Sequence, residues 1–466
     1  MKKTMKRHWF LNFRPALLGA AVLSLFALPV HAQEVDSYNA LQAAASAGSG
    51  EGTIKLTSNI LDGAIPLTIG RSLTLDLNGH SLTIDLPPPI GRNSNGIKIN
   101  SGVTLTIKDS NPGQQNALTV TNRAGENNAN HCMWDAVGGC AAINTTDGTL
   151  VIESGKVNAT GGDSGAGIGG GNNSDGGTIT ITGGDVKASS NVWGAGIGGG
   201  YTGAGGKIVI SGGKVTATGG YFGAGIGGGH DGGGGGDIRI SNGNVVAKGG
   251  VCAAGIGGGA NSAGGKIEIS GGTIDASSDE CENFEWGAGA GIGGGGGNEA
   301  KPSGASGSIT ISGAAQVTAT GGASTTQGGG AGIGSGGSGS SYENTPGTAG
   351  AAGPISIANL DHVKATGGKG HNGRDGAAIG FGGGASGPGA SVPTDGSGGG
   401  GDGGGVGGNN PGGSGGNPPP PSSTDSKDSK SSGGCSTSGG PFGVAALVVL
   451  AAFGWVRRQR ICNRSA

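Results

Sequence analysis

The sequence predicts an all-β fold: a three-sided solenoid of the single-stranded parallel β-helix type. Three observations predict it. Glycine makes up 115 of the 466 residues, far above its usual share of proteins. The seven residues GAGIGGG occur identically at Gly165, Gly194 and Gly223, and short alternating strand patterns recur with them. Collagen is excluded, because its glycine falls at every third position.

Three columns of apolar residues define each repeat. The second column alternates as in Ile208 and Ile210, and the third as in Val215 and Ala217, which is typical of strands. One repeat cannot bury its own apolar face, so the repeats must stack, one coil each, with these residues turned inward and glycine at the corners. The first column holds the central isoleucines of the glycine motif, at steps of 29, 29, 30, 36, 41 and 46 residues: Ile168, Ile197, Ile226, Ile256, Ile292, Ile333 and Ile379.

The N-terminal part of the solenoid has its own pattern. A short amphipathic helix with Ser37 as its N-cap is expected to cover the first coil. The phrases LDLNGHSLTI and SGVTLTIKDS follow and alternate strictly. From about Thr53 to Ser110 the chain resembles the leading coils of bacterial surface right-handed parallel β-helix proteins with glycine-rich repeats. The resemblance implies a right-handed coil and leaves the activity open, because this fold hosts many functions.

Residues 1–32 have the pattern of a secretory signal peptide. A basic start precedes an apolar run from Pro15 to Pro29, and small residues precede the expected cleavage after Ala32. An uncleaved membrane anchor is the alternative, although the run is shorter than the ~20 residues that a span requires. The predicted segments are 1–32 for the signal peptide, 33–64 for an N-terminal cap, 65–382 for the β-helix repeats, 383–434 for a flexible Gly/Pro/Ser-rich linker and 435–466 for the anchor.

The C-terminal segment is predicted to attach the protein to the membrane. An apolar run from about Pro441 to Val456 precedes three arginines and predicts a short transmembrane helix with its basic end in the cytoplasm. Gly434 and Cys435 precede this run, and the whole order resembles the bacterial sorting tags of the Synergist-CTERM and MYXO-CTERM kind. The resemblance implies processing by a sorting protease and anchoring at the cell surface. A plain tail anchor is the alternative.

Charge and composition limit the partners. The formal net charge is −2, which gives no reason to expect nucleic acid as a partner. Lys207, Asp237 and Lys266 should stack in successive coils, so opposite charges meet along the rod. The stretch GGGGGDIRI at Gly232 nearly matches a calcium-binding nonapeptide, but it occurs once and Arg239 occupies an apolar position of that pattern. We therefore predict no metal site and no cofactor.

Aromatic residues are scarce, yet several fall next to the glycine motif. Such rings can stack on sugars, so they are the predicted ligand-binding residues for a polysaccharide laid along the rod. The alternative is that they fill the corner and shield the core. His230 and Tyr201, just beyond the motif, would flank such a groove, although a lone histidine is usually solvated. The predicted ligand-binding residues are Trp193, Tyr221, Phe222 and Trp286.

No residue is predicted to be catalytic. Glycoside hydrolysis requires two carboxylates placed together, whereas the acidic residues here are scattered one per coil. Four acidic residues do share one loop, which we interpret as a solvated insertion: Asp279, Glu280, Glu282 and Glu285.

Four cysteines remain in the exported part of the chain, and export permits disulfides. Three pairings are possible. Sequence proximity favours Cys132 with Cys140 and Cys252 with Cys281, the second pair clamping neighbouring coils.

The sequence as a whole predicts an extracellular β-solenoid anchored at the cell surface. It would act as an adhesin or polysaccharide-binding display protein, with a polysaccharide or another cell surface as its partner. A structural envelope spacer and a polysaccharide-degrading enzyme are the alternatives. Burial of the aromatic residues would favour the spacer.

Overall fold

The computed structural model describes most of the solenoid. Nearly all of the predicted signal peptide and linker, and the whole predicted anchor, lie outside the described residues. No helix among the described residues is both long enough and apolar enough to cross a bilayer. The described residues are 32–46, 52–88, 94–113, 116–124, 138–282, 285–298, 301–339 and 350–384.

The described strands form three parallel sheets, and the chain visits each sheet once per coil. Sheet A contains β1 (Gln33–Val35), β2 (Gly52–Leu56), β5 (Leu73–Asp76), β8 (Thr104–Lys108), β11 (Thr149–Ile152), β14 (Thr178–Ile181), β17 (Lys207–Ile210), β20 (Asp237–Ile240), β23 (Lys266–Ile269), β26 (Ser308–Ile311) and β29 (Ile355–Ile357).

Sheet B carries the Val-x-Ala column. It contains β3 (Ile60–Gly63), β6 (Leu82–Leu86), β9 (Leu118–Asn122), β12 (Lys156–Thr160), β15 (Asp185–Ser189), β18 (Lys214–Thr218), β21 (Asn244–Val251), β24 (Thr273–Asp279), β27 (Gln316–Thr320) and β30 (Val363–Thr366).

Sheet C carries the central isoleucine of the glycine motif. It contains β4 (Leu67–Ile69), β7 (Ile97–Ile99), β10 (Ile143–Asn144), β13 (Ile168–Gly169), β16 (Ile197–Gly198), β19 (Ile226–Gly227), β22 (Ile256–Gly257), β25 (Ile292–Gly293), β28 (Ile333–Gly334) and β31 (Ile379–Gly380). The architecture fits the predicted right-handed three-sided β-helix, and crossovers between parallel strands almost always take this hand.

One continuous apolar core runs along the axis. In each repeat two residues of sheet A, two of sheet B and one isoleucine of sheet C point inward, and equivalent residues pair in register, as Ile197 does with Ile226. Ile208, Ile210 and Ile226 are fully buried. Because every ladder joins equivalent residues, the predicted inward columns are confirmed.

The N-terminal end of the core is covered by the helix α1 (Tyr38–Ser46) and by β1. Leu41 and Ala45 of α1 are buried in the core, and the Tyr38 hydroxyl donates a hydrogen bond to the Ile65 carbonyl. β1 pairs with β2 in parallel. The first coil thus begins at Gly52, inside the segment predicted as the N-terminal cap. At the other end, Val363, Ala365 and Ile379 of the last coil are only partly buried.

Glycine at the sheet C corner is required by backbone geometry. The backbone of Gly227 has a φ of +137°, a conformation that residues with a side chain rarely adopt. A Cβ built there would lie 2.9 Å from the carbonyl carbon of Gly257 in the next coil and closer still to its oxygen. The repeated GAGIGGG phrase therefore places one inward isoleucine beside a residue that must approach the next coil without a side chain.

The outer side of sheet A carries the predicted charge ladder. Lys207 pairs with Asp237, and Asp237 with Lys266, in the strand register. The Arg239 guanidinium lies 2.7 Å from Glu268 and 3.2 Å from Asp237, while Lys266 lies 2.7 Å from Glu268. These exposed pairs neutralise one another.

Candidate functional site

The candidate site is the rim beside sheet C, where each coil loops outward around the glycine motif. One column of residues precedes the motif and a second column follows it. The backbone N–H of each second-column residue donates to the carbonyl of a first-column residue one coil earlier, as from Tyr201 to Ser164 (2.8 Å), from His230 to Trp193 (2.9 Å) and from Ala260 to Phe222 (3.0 Å). This ladder fixes the spacing of the side chains that project from the rim.

Six rings at this rim form one contact network, which we call the aromatic cluster. Trp193 stacks on Phe222 with centroids 5.3 Å apart, and Phe222 contacts Trp286 at 5.1 Å. Tyr221 meets Phe222 edge to face at 4.7 Å. The aromatic cluster consists of Trp193, Tyr201, Tyr221, Phe222, His230 and Trp286.

The predicted ligand-binding residues are thus brought together, but they do not form an open stripe. Phe222 and Trp286 are only 8% and 9% exposed, and they pack with Cys252 and Ala288. Trp193 is partly buried against them. Tyr221 is 46% exposed. The rings cover one another because coils at strand spacing bring stacked side chains into contact.

The disulfide between Cys252 and Cys281 lies beneath the cluster. It joins residues 29 apart in the sequence, as predicted, and both cysteines are fully buried. Cys281 also pairs in a β-bridge with Ser324 of the following coil. Because the bond holds the start of the loop that carries Trp286, it keeps that loop against the rim. Cys140 is also disulfide-bonded, and its predicted partner Cys132 lies outside the described residues.

His230 occupies the centre of the cluster, where solvation had been expected. It is 7% exposed, and four rings surround its imidazole, with centroids at 5.0 Å for Trp193, 5.0 Å for Phe222, 5.5 Å for Trp286 and 5.8 Å for Tyr201. Neither ring nitrogen has a hydrogen-bond partner among the described residues. Burial lowers the pKa of His230 from 6.5 to about 4, so the ring is neutral at ordinary pH.

A polar group borders the cluster that sequence reasoning did not identify. An Asp231 oxygen lies 3.8 Å from His230 Nδ1. The other oxygen of Asp231 accepts a hydrogen bond from Asn261 (2.9 Å) and lies 2.9 Å from Lys301 Nζ. Burial raises the pKa of Asp231, but the hydrogen bonds from Asn261 and Lys301 and the positive charge of Lys301 outweigh it, so the pKa is lowered. The sequence did contain a signal for this polar group, since an Asn, Thr or Asp directly follows the second column in successive coils. These residues also share a positive φ: Asn173, Thr202, Asp231 and Asn261.

Some carboxylates elsewhere on the described surface also form ion pairs. In the acidic loop, Asp279 lies 3.3 Å from Lys248. On sheet B, Arg123 forms a bidentate ion pair with Asp85, and both N–O distances are 2.7 Å. A shallow depression on sheet A is lined by hydroxyls and carries no carboxylate or imidazole. Among the described residues, no three His, Cys, Asp or Glu side chains are grouped closely enough to hold a metal ion.

The fold and the rim together define a class of protein, the repetitive parallel β-helix solenoid. The family model described as Beta helix repeat matches five segments of the chain: residues 150–172, 179–201, 208–230, 238–260 and 267–296. Each segment begins at an inward residue of sheet A and ends at the second column of the rim. No curated protein and no solved structure matches the chain.

Proposed function

We propose that this protein is a structural rod, exported and displayed at the cell surface. The observation that carries the proposal is that the side chains predicted to bind a ligand pack against one another instead. The aromatic rings stack on one another, Phe222 and Trp286 are buried, and several acidic residues, Glu268 and Asp279 among them, form ion pairs. Contacts of this kind stabilise a stack of coils, whereas glycoside hydrolysis would require two carboxylates placed together across a groove.

The geometry of the coils suits a spacer. The ten strands of sheet C span about 43 Å, at roughly 4.8 Å per step. The predicted signal peptide would deliver this rod outside the cell. The predicted linker and anchor would hold it away from the membrane.

Whole-cell labelling tests the proposal. Cells producing the full chain with an epitope after residue 33 are treated with an antibody, and cells producing a chain that ends at residue 433 serve as the comparison. We expect labelling of intact cells by the full chain and release of the shortened chain into the medium. An epitope that is reached only after cell lysis would overturn the proposal.

Binding of a neutral polysaccharide is the second candidate function, and the exposure of Tyr221 favours it. Tyr221, with the accessible edges of Trp193 and Tyr201, offers a small aromatic surface. The nearby cation Lys301 is paired with Asp231, so a neutral sugar chain fits this surface better than an acidic one.

Retention of the full chain on a panel of neutral and acidic polysaccharides separates the two candidates. The matched variants are Tyr221→Ala and Leu360→Ala, which remove exposed apolar side chains of 46% and 43% exposure at the rim and in the last coil. Retention that only Tyr221→Ala abolishes would establish glycan binding. A rod without a ligand shows no retention for any of the three proteins.

A further inference from the structure

The imidazole of His230 has one charged group close to it, the carboxylate of Asp231, with an oxygen 3.8 Å from Nδ1. Within the part of the chain that the structure describes, its Nδ1 and Nε2 atoms are buried and make no hydrogen bond, an unusual state for a buried polar group. The ring nevertheless contacts Trp193, Phe222 and Trp286, which belong to different coils. Neutral His230 therefore acts as the apolar centre around which the other rings pack.

A proton on this ring would change the energetics of the whole cluster. The imidazolium would have two donors and, among the described residues, no acceptor within hydrogen-bond distance, since Asp231 Oδ2 lies 3.8 Å from Nδ1, and a buried charge without hydrogen bonds is strongly unfavourable. Contact with the tryptophan faces offsets part of this penalty. Opening the cluster to water removes the rest.

The neighbouring charges offset the cost of a proton on the ring only in part. Among the described residues, Asp231 and Lys301 are the charged groups that act on the ring, the first favouring and the second opposing protonation. Lys301 Nζ lies 2.9 Å from Asp231 Oδ1, whereas Nδ1 of His230 lies 3.8 Å from Oδ2. The Tyr201 phenol, whose pKa is raised by burial, stays neutral in acid. Lys301 thus engages Oδ1 of Asp231, while Oδ2 lies beyond hydrogen-bond distance from His230 Nδ1.

We propose that His230 is an acid-sensitive latch: while neutral it holds the aromatic cluster closed, and its protonation opens the cluster and exposes Trp193, Phe222 and Trp286 as an apolar surface. The disulfide between Cys252 and Cys281 limits the movement, because it keeps the loop of Trp286 attached to the rod. The three sheets are unaffected, since their cores do not include these rings. This latch goes beyond the structural role and does not depend on it.

The sign and size of the effect follow from proton linkage. A histidine whose pKa is about 4 in the closed cluster and 6.5 in the open one stabilises the closed form fully above pH 6.5. That stability is lost as the pH falls from 6.5 to 4. Between pH 7.5 and pH 4 the opening equilibrium constant should rise roughly 150-fold, with saturation near 300-fold at lower pH.

The test is an acid titration of the purified full chain in detergent without reductant. Tryptophan emission and the fluorescence of an apolar dye are recorded from pH 8 to pH 3, with far-UV circular dichroism in parallel. We expect reversible dye binding and a red shift of emission in acid, with unchanged dichroism. Absence of dye binding down to pH 3 overturns the proposal.

Three variants isolate the histidine. His230→Phe keeps an apolar ring that cannot be protonated and should abolish the acid response, whereas the exposed His371→Phe should leave it unchanged. Lys301→Met removes the charge that opposes protonation and should raise the midpoint pH. An unchanged response in a folded His230→Phe protein contradicts the latch.

A measurement on the unaltered protein covers the case in which His230→Phe does not fold. Histidine ring resonances are followed by NMR through the same titration. We expect one histidine to protonate well below pH 6.5, together with dye binding. If every histidine protonates near pH 6.5 and the tryptophan emission follows none of them, the latch does not exist.

Discussion

The glycine corner gives the sharpest test of how the coils stack. In Gly227→Ala, the new Cβ would meet the carbonyl group of Gly257 in the next coil, and Gly227 has φ +137. Holding alanine in that conformation is unfavourable by about 1–3 kcal/mol. The carbonyl would also have to retreat, which weakens the hydrogen bonds from Gly228 to Gly257 (2.9 Å) and from Ile226 to Gly255 (3.0 Å).

Together these effects predict a large loss of stability. Two weakened hydrogen bonds contribute about 1 kcal/mol each, so the free energy of unfolding should fall by about 3–5 kcal/mol. This is a large part of the stability of an ordinary domain, about 5–15 kcal/mol. Gly70→Ala is the matched control, because the nearest atom to its new Cβ is the Ser46 carbonyl oxygen at 3.4 Å, an ordinary contact.

Equilibrium unfolding in urea, followed by far-UV circular dichroism, measures the difference. Tryptophan fluorescence is recorded in parallel, because repeat proteins can unfold in parts and the two signals then separate. We expect Gly70→Ala to stay within about 1 kcal/mol of the unaltered protein. If Gly227→Ala is as stable as Gly70→Ala, the close approach of the coils at sheet C does not govern stability.

Three further predictions concern the core, the disulfide and the charge ladder. Ile226→Ala should lower the unfolding free energy, measured in urea, by about 2–5 kcal/mol, and Ile226→Val should lower it by about 0.5–1.5 kcal/mol. Equal losses for the two variants would contradict the tight packing of the buried isoleucine column. Replacing Cys252 and Cys281 by serine should remove about 2–4 kcal/mol, since the bond closes a loop of 29 residues, and reductant should have no further effect on this pair. Arg239→Ala should change the free energy of unfolding by less than about 1 kcal/mol at low salt, because the carboxylate partners of Arg239 are partly exposed. High salt should erase this difference. A larger effect that persists in high salt would refute this account.

Much of the solenoid could be predicted because it is periodic. Strand residues alternate every two positions and repeats recur after a coil, so the inward columns of sheets A, B and C follow from spacing alone. The pairing of Lys207 with Asp237 follows from the same alignment, and sequence proximity favours the disulfide that joins Cys252 to Cys281. Each of these features depends on which residues occupy equivalent places in neighbouring coils.

The rim could not be predicted in this way, because loops of unequal length meet there. Trp286 lies two residues before Ala288, which holds the place that Trp193 and Phe222 occupy in their repeats, yet it reaches Phe222 at 5.1 Å. Equal spacing therefore identified the aromatic residues but not their burial. Phe222 and Trp286 are buried against other rings, as the alternative interpretation, in which the rings fill the corner and shield the core, requires.

By itself, the sequence determined the class of fold, the registers and the inward residues of this protein, because hydrogen-bonded stacking of equivalent strands repeats one local pattern. Only the tertiary structure decided the environment of His230 and its neighbours. Lys301 lies seventy positions after Asp231 and still pairs with it at 2.9 Å. Such a contact depends on how insertions of different length fold over the same rim, and no period in the sequence encodes that.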